Sequence, residues 1–110
     1  MLTDDLDLFE MANLYPRTTG LPMTVWISPR GGAKHDARVK VNPVHGNSMD
    51  LSQAVTVAIR PFPHEAHGQL LNSPDFAKVK NWIELNQAAL LEFWDGKIDT
   101  SEVLARLIKV

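Results

Sequence analysis

The sequence predicts an α+β domain in which a small antiparallel sheet of about three strands packs against one long and one short C-terminal helix. Two observations carry this. Apolar and polar residues alternate in three short stretches between residues 23 and 60, and a helical apolar period takes over only after residue 73. Strands that precede helices, instead of interleaving with them, argue against a doubly wound parallel sheet.

The first stretch, residues 23–28, sets Met23, Val25 and Ile27 on one face and Thr24, Trp26 and Ser28 on the other. Residues 37–41 alternate more cleanly, with Ala37, Val39 and Val41 opposite Arg38 and Lys40. Residues 54–60 group Val55, Val57 and Ile59 and leave Thr56, Ala58 and Arg60 on the reverse side. A period of two marks half-buried strands. Loops of residues 29–36 and 42–53 join them, and Pro61 and Pro63 end the third, because proline supplies no ladder donor.

Upstream, residues 3–12 can form a short helix capped by Thr3, with Leu2, Leu6 and Phe9 as its apolar stripe. Residues 1–12 read as a loosely attached acidic extension and 13–110 as a single domain. Residues 13–22, broken by Pro16, Gly20 and Pro22, predict an irregular approach to the first strand.

The long helix starts at Ser73-Pro74-Asp75, with Ser73 as cap, proline at N1 and an acid in the first turn, and stops at Gly96. At 100° per residue, Phe76, Val79, Trp82, Ile83, Leu90, Phe93 and Trp94 share one broad face. Asn86 falls in the middle of that face and needs a hydrogen-bond partner, predicted to be a backbone group. A second helix begins near Asp99, with Glu102 three residues on as in a capping box and with Val103, Leu104, Leu107 and Ile108 on its buried side.

Composition narrows the functional classes. The chain has 110 residues, a net charge of −2 and no cysteine, which rules out thiolate nucleophiles, iron–sulfur clusters and cysteine–zinc sites and points to a cytoplasmic protein. No apolar run is long enough for a membrane span, and the acidic start is unlike a signal peptide. Near-neutral charge argues against strong non-specific nucleic-acid binding. Residues 1–10 hold four acids and no base, so the rest of the chain is slightly basic.

The sheet face turned away from the long helix is the leading candidate site. Trp26, Arg38, Lys40 and Arg60 fall there, an aromatic ring among cations that can stack a planar group and neutralise phosphate. The plainer reading is a solvated face with cationic stems packed over the indole. The loop with Arg30, Gly31, Gly32 and Lys34 is second: paired glycines can point successive amides at an anion, although the spacing is not that of a P-loop. These residues predict a non-catalytic binding or regulatory module for an anionic ligand, a nucleic acid or an acidic protein surface. The alternative is a small phosphate-directed enzyme, such as a nuclease-like toxin, with His35 and Asp36 as acid–base pair and Arg38 or Arg30 on phosphate. His64 and His67 stand three apart, not the four of a zincin helix, and neither a metal nor a cofactor is predicted.

Residues 82–94, WIELNQAALLEFW, resemble the closing helix of a widespread bacterial family of small proteins of unknown function, through Trp82, Glu84, Leu85, Asn86, Leu90, Leu91 and Trp94. The resemblance implies a compact α+β domain, and some members are suspected of belonging to toxin–antitoxin gene pairs. The N-terminal half departs from the family: residues 23–32 stand where its members carry a histidine-rich strand. The half containing Gly20, Arg30, Gly31, Gly32, His35 and Arg38 looks like that of other short bacterial proteins, which implies a bacterial or phage origin.

Overall fold

The computed structural model describes residues 11–110, so the helix and extension expected before residue 11 lie outside the described residues. The elements run β1 (Ala12–Leu14), α1 (Pro16–Thr19), β2 (Val25–Ile27), β3 (Arg38–Val41), β4 (Val55–Ala58), β5 (His64–Glu65), α2 (Ser73–Trp94) and α3 (Thr100–Arg106). The class is α+β as predicted, but the sheet has five strands, an antiparallel meander in the order β1-β2-β3-β4-β5. The two extra strands are the edges. Both are too short to show an alternation: β1 holds three residues and β5 only two. Their pairing comes from neighbours, with Ala12 opposite Ile27 and His64 opposite Ala58. Ala12, assigned from sequence to the extension, is therefore part of the sheet.

Register places the valines as their spacing requires. Val25 pairs with Val41, Val41 with Val55, and Val39 with Val57, so all five point to one face. They are buried together with Met23, Ile27 and Ile59 against Val79, Trp82, Ile83, Leu90, Phe93 and Trp94 of α2. Each such side chain contributes roughly 1.5–3 kcal/mol when removed from water. Gln87 ties helix to sheet by donating from Nε2 to the Ile59 carbonyl at 3.0 Å.

Helix ends depart from expectation in detail. The cap of α2 is Asn72, one residue before Ser73: its Oδ1 accepts from the Asp75 N–H at 2.9 Å and its Nδ2 donates to Asp75 Oδ2 at 3.1 Å. The asparagine amide does both at once, accepting through its oxygen and donating through its nitrogen. The capping box at Asp99 and Glu102 forms as predicted. Of the side chains assigned to the buried side of α3, Val103 is buried but Leu104 and Ile108 are exposed. With seven residues, α3 is a short strut capped at Leu107, and the tail beyond it is hydrogen-bonded to α2 through Ile108 and to α1 through Val110. Arg106 clamps it to α2 through Glu92, at 3.0 and 2.9 Å.

The segment before β2 is ordered by α1. Pro16 opens it, and Gly20, at φ 83°, closes it with an N–H to the Pro16 carbonyl. The chain then enters β2 through Leu21 and Met23, both buried. No helix of the described residues is long and apolar enough to cross a membrane.

Candidate functional site

Strand register builds the site. Trp26 is the direct partner of Lys40, and Arg38 and Ser28 follow two residues along on the same face. Side chains opposite one another in an antiparallel pair, and their neighbours two along, lie within reach of each other. Because Val25, Ile27, Val39 and Val41 face the core, Trp26, Arg38 and Lys40 must face away from it. Thr24 and Thr56 share this face, Thr56 opposite Lys40, but both are buried, Thr24 with its hydroxyl donating to the Gly46 carbonyl at 2.7 Å.

The loop after β2 converts this face into a concavity. Its backbone is pinned at Arg30, whose N–H donates to the Trp94 carbonyl at the end of α2, 2.8 Å away. A turn from Arg30 to Ala33, closed by a 2.9 Å hydrogen bond, then carries His35 back over Trp94, with ring centroids 5.4 Å apart and planes tilted by 33°. The result is a cavity of about 220 Å³, lined by Trp26, Ser28, Pro29, Arg30, Ala33, His35, Arg38, Lys40 and Trp94. Four sequence candidates for binding, Trp26, Arg30, Arg38 and Lys40, line it together with His35. Gly31, Gly32 and Lys34 belong to the adjoining loop but are not among its walls.

Arg60 is placed differently. It makes a two-pronged contact with Asp36, Nε lying 3.0 Å from each carboxylate oxygen and Nη2 2.7 Å from Oδ1. These hydrogen bonds, with a further one from the Ala37 N–H, pull the Asp36 carboxyl down to about 2. Asp95 takes Arg30 at 3.6 Å and Arg60 at 4.0 Å. Two carboxylates thus engage Arg30 and Arg60. Among the described residues, Arg38 and Lys40 have no ion-pair partner. The cavity therefore carries a cationic excess in spite of the chain's net charge of −2.

His35 and Asp36 are adjacent but do not form a side-chain dyad. His35 Nδ1 lies 3.1 Å from the Asp36 backbone carbonyl, and the Asp36 carboxylate is turned to Arg60. The other histidines are separate: His45 Nε2 meets Asp75 Oδ2 at 2.9 Å, and His64 Nδ1 meets the Phe62 carbonyl at 2.8 Å. Among the described residues no three His, Asp or Glu side chains converge as metal ligands. A wider depression of about 380 Å³ between β5 and α2, lined by Phe62, His64, Glu65, Phe76 and Lys80 among others, lacks a comparable group of cations.

Trp94, which the sequence places foremost in the core with a pocket or subunit contact as the alternative, is also a wall residue. It is 2 % exposed and packs with the core, yet its ring also closes the cavity. The available signal was its position in the last turn before Gly96, where a helix side chain can reach past the sheet edge. No family model, curated protein or solved structure matches this chain.

Proposed function

We propose that the protein is a non-catalytic binding module that takes an anionic ligand in the cavity formed by Trp26, Arg30, Arg38, Lys40 and Trp94. One observation carries the reading: Arg38 and Lys40, two cations without an ion-pair partner among the described residues, share a concave wall with two indole rings. Cations at the rim of a low-dielectric pocket attract an anion more strongly than the same groups on open surface. The absence of cysteine is in keeping with a cytoplasmic site of action. We read residues 82–94 as akin to the closing helix of the small bacterial family, a likeness that supplies the covering helix and no chemistry.

Binding without turnover is favoured over a phosphate-directed enzyme because the Asp36 carboxylate is held by Arg60 and kept ionised, facing away from His35. A general base needs its acceptor atom within reach of the proton it removes. The test is an NMR titration with pyrophosphate, a short single-stranded oligonucleotide and an acidic peptide at two salt concentrations. At least one should shift the resonances of Trp26 and Lys40, less so in high salt, and the Arg38→Ala/Lys40→Ala protein should bind about tenfold or more weakly. No response at these residues from any probe, or a response unchanged in the double variant, refutes the reading.

A further inference from the structure

The cavity combines three features that together specify more than negative charge. Its volume, about 220 Å³, lies below the roughly 300–1,000 Å³ of pockets that enclose drug-sized ligands. It has room for one ring system and its substituent. Its walls offer aromatic surface from the partly exposed Trp26, and Trp94 borders them with His35 lying over its ring. The third feature is an unused donor. The Trp94 indole Nε1–H is buried and has no hydrogen-bond partner among the described residues.

Buried polar groups are nearly always paired, and an unpaired one calls for a reason. The Trp82 indole N–H is unpaired as well, but Trp82 lies wholly in the core and lines no part of the cavity. At Trp94 the orphan donor belongs to a ring that borders a cationic cavity. The donor is buried, so a ligand bringing a ring nitrogen or carbonyl oxygen to that wall would satisfy it by displacing the groups that cover it, and would place its anionic group toward Arg38 and Lys40.

Resting on the anion-binding reading above, we infer that the ligand is a nucleoside monophosphate, its base entering the cavity against Trp26 and Trp94 and its phosphate held by Arg38, Lys40 and Arg30. A nucleobase supplies a planar face and edge acceptors in one group, and the attached phosphate accounts for the cations. A mononucleotide is favoured over a polymer because the cavity admits one base and a net charge of −2 does not favour binding of a long polyanion.

The decisive experiment compares adenosine and uridine 5′-monophosphate with ribose 5-phosphate, with the free nucleosides and with a ten-nucleotide single strand, following the indole N–H signals of the intact protein. A monophosphate should bind about tenfold more tightly than ribose 5-phosphate, from base stacking worth ~1–3 kcal/mol. It should shift the Trp94 indole signal, which Trp94→Phe identifies by removing it. That variant deletes no internal hydrogen bond, keeps a ring in place, and should weaken the monophosphate about fivefold while leaving ribose 5-phosphate unchanged. Equal affinity for ribose 5-phosphate and the monophosphate overturns the nucleotide assignment and leaves the anion site standing. A tenfold preference for the strand overturns the mononucleotide assignment. Failure of every phosphate compound overturns the nucleotide assignment, and the anion site then stands or falls with the acidic peptide.

Discussion

Asn86 and Ile108, 22 residues apart, hold each other by two hydrogen bonds: Nδ2 donates to the Ile108 carbonyl at 3.0 Å, and the Ile108 N–H donates to Oδ1 at 2.7 Å. The amide also donates to the Trp82 carbonyl one turn back at 2.9 Å. The polar residue in the apolar face of α2 is thus the lock that seats the C-terminal segment. Beyond it, the Val110 N–H donates to the Thr19 carbonyl at 2.8 Å, so the same tail reaches α1. A C-terminal segment that looks peripheral in sequence braces the helix and the entry to β2 at once.

Replacing Asn86 by alanine removes both bonds to Ile108 and leaves backbone groups unpaired, which should cost about 2–3 kcal/mol. Urea unfolding measures it. Leu85→Ala, one residue away but half exposed, should cost well under half as much. Equal losses for the two would mean that the amide is not the anchor.

Gly20 sits in the left-handed region at φ 83°, and a Cβ there would collide with the backbone of Val110. The conformation alone costs an L-residue about 1–2 kcal/mol, and the collision adds displacement of the tail. Gly20→Ala should therefore lower stability more than Gly68→Ala, where φ is also positive, at 95°, but the space is open. Thermal unfolding of both variants separates the backbone contribution, common to the two, from the tail contact peculiar to Gly20.

Asp36 should titrate near 2, against 3.8 for an unperturbed carboxyl, because it accepts hydrogen bonds from Arg60 first and the Ala37 N–H second. A folded value below the unfolded one means the contact stabilises fully above about pH 4 and its contribution fades as pH falls through 2. The group is open to solvent, so the effect on global stability is small. The midpoint is the better observable. Carbon-detected NMR of the carboxyl should place it near 2 in the native protein and close to the ordinary value in Arg60→Gln. An unchanged midpoint in that variant would dissociate Asp36 from Arg60.

The valine faces of β2, β3 and β4 were legible because a half-buried strand imposes a period of two, and nothing else in that region competes with it. The long helix was legible from its apolar face and its stop at Gly96. The cap was displaced by one residue, since Asn72 and Ser73 are both competent cap types and only contact with Asp75 separates them. Strands β1 and β5 were not legible. Segments of two or three residues carry no period, and their pairing is supplied by partners distant in sequence.

The candidate site divides along the same line. That Trp26, Arg38 and Lys40 share a face follows from their spacing once the strands are adjacent, whereas Arg60, equally in phase, is drawn off by Asp36 and Asp95. Whether a cation is free depends on which carboxylate reaches it, and spacing along the chain says nothing of that.

Local alternation and helical period, properties of neighbouring residues, were thus enough to determine the class of fold, the core face of the sheet and the cationic aromatic set on its reverse. The cavity itself was decided by the tertiary structure. It exists because the Arg30 N–H binds the end of α2 and brings Trp94 and His35 to the strand face carrying Trp26. A concave surface is a relation between elements far apart in sequence, and only their packing creates it.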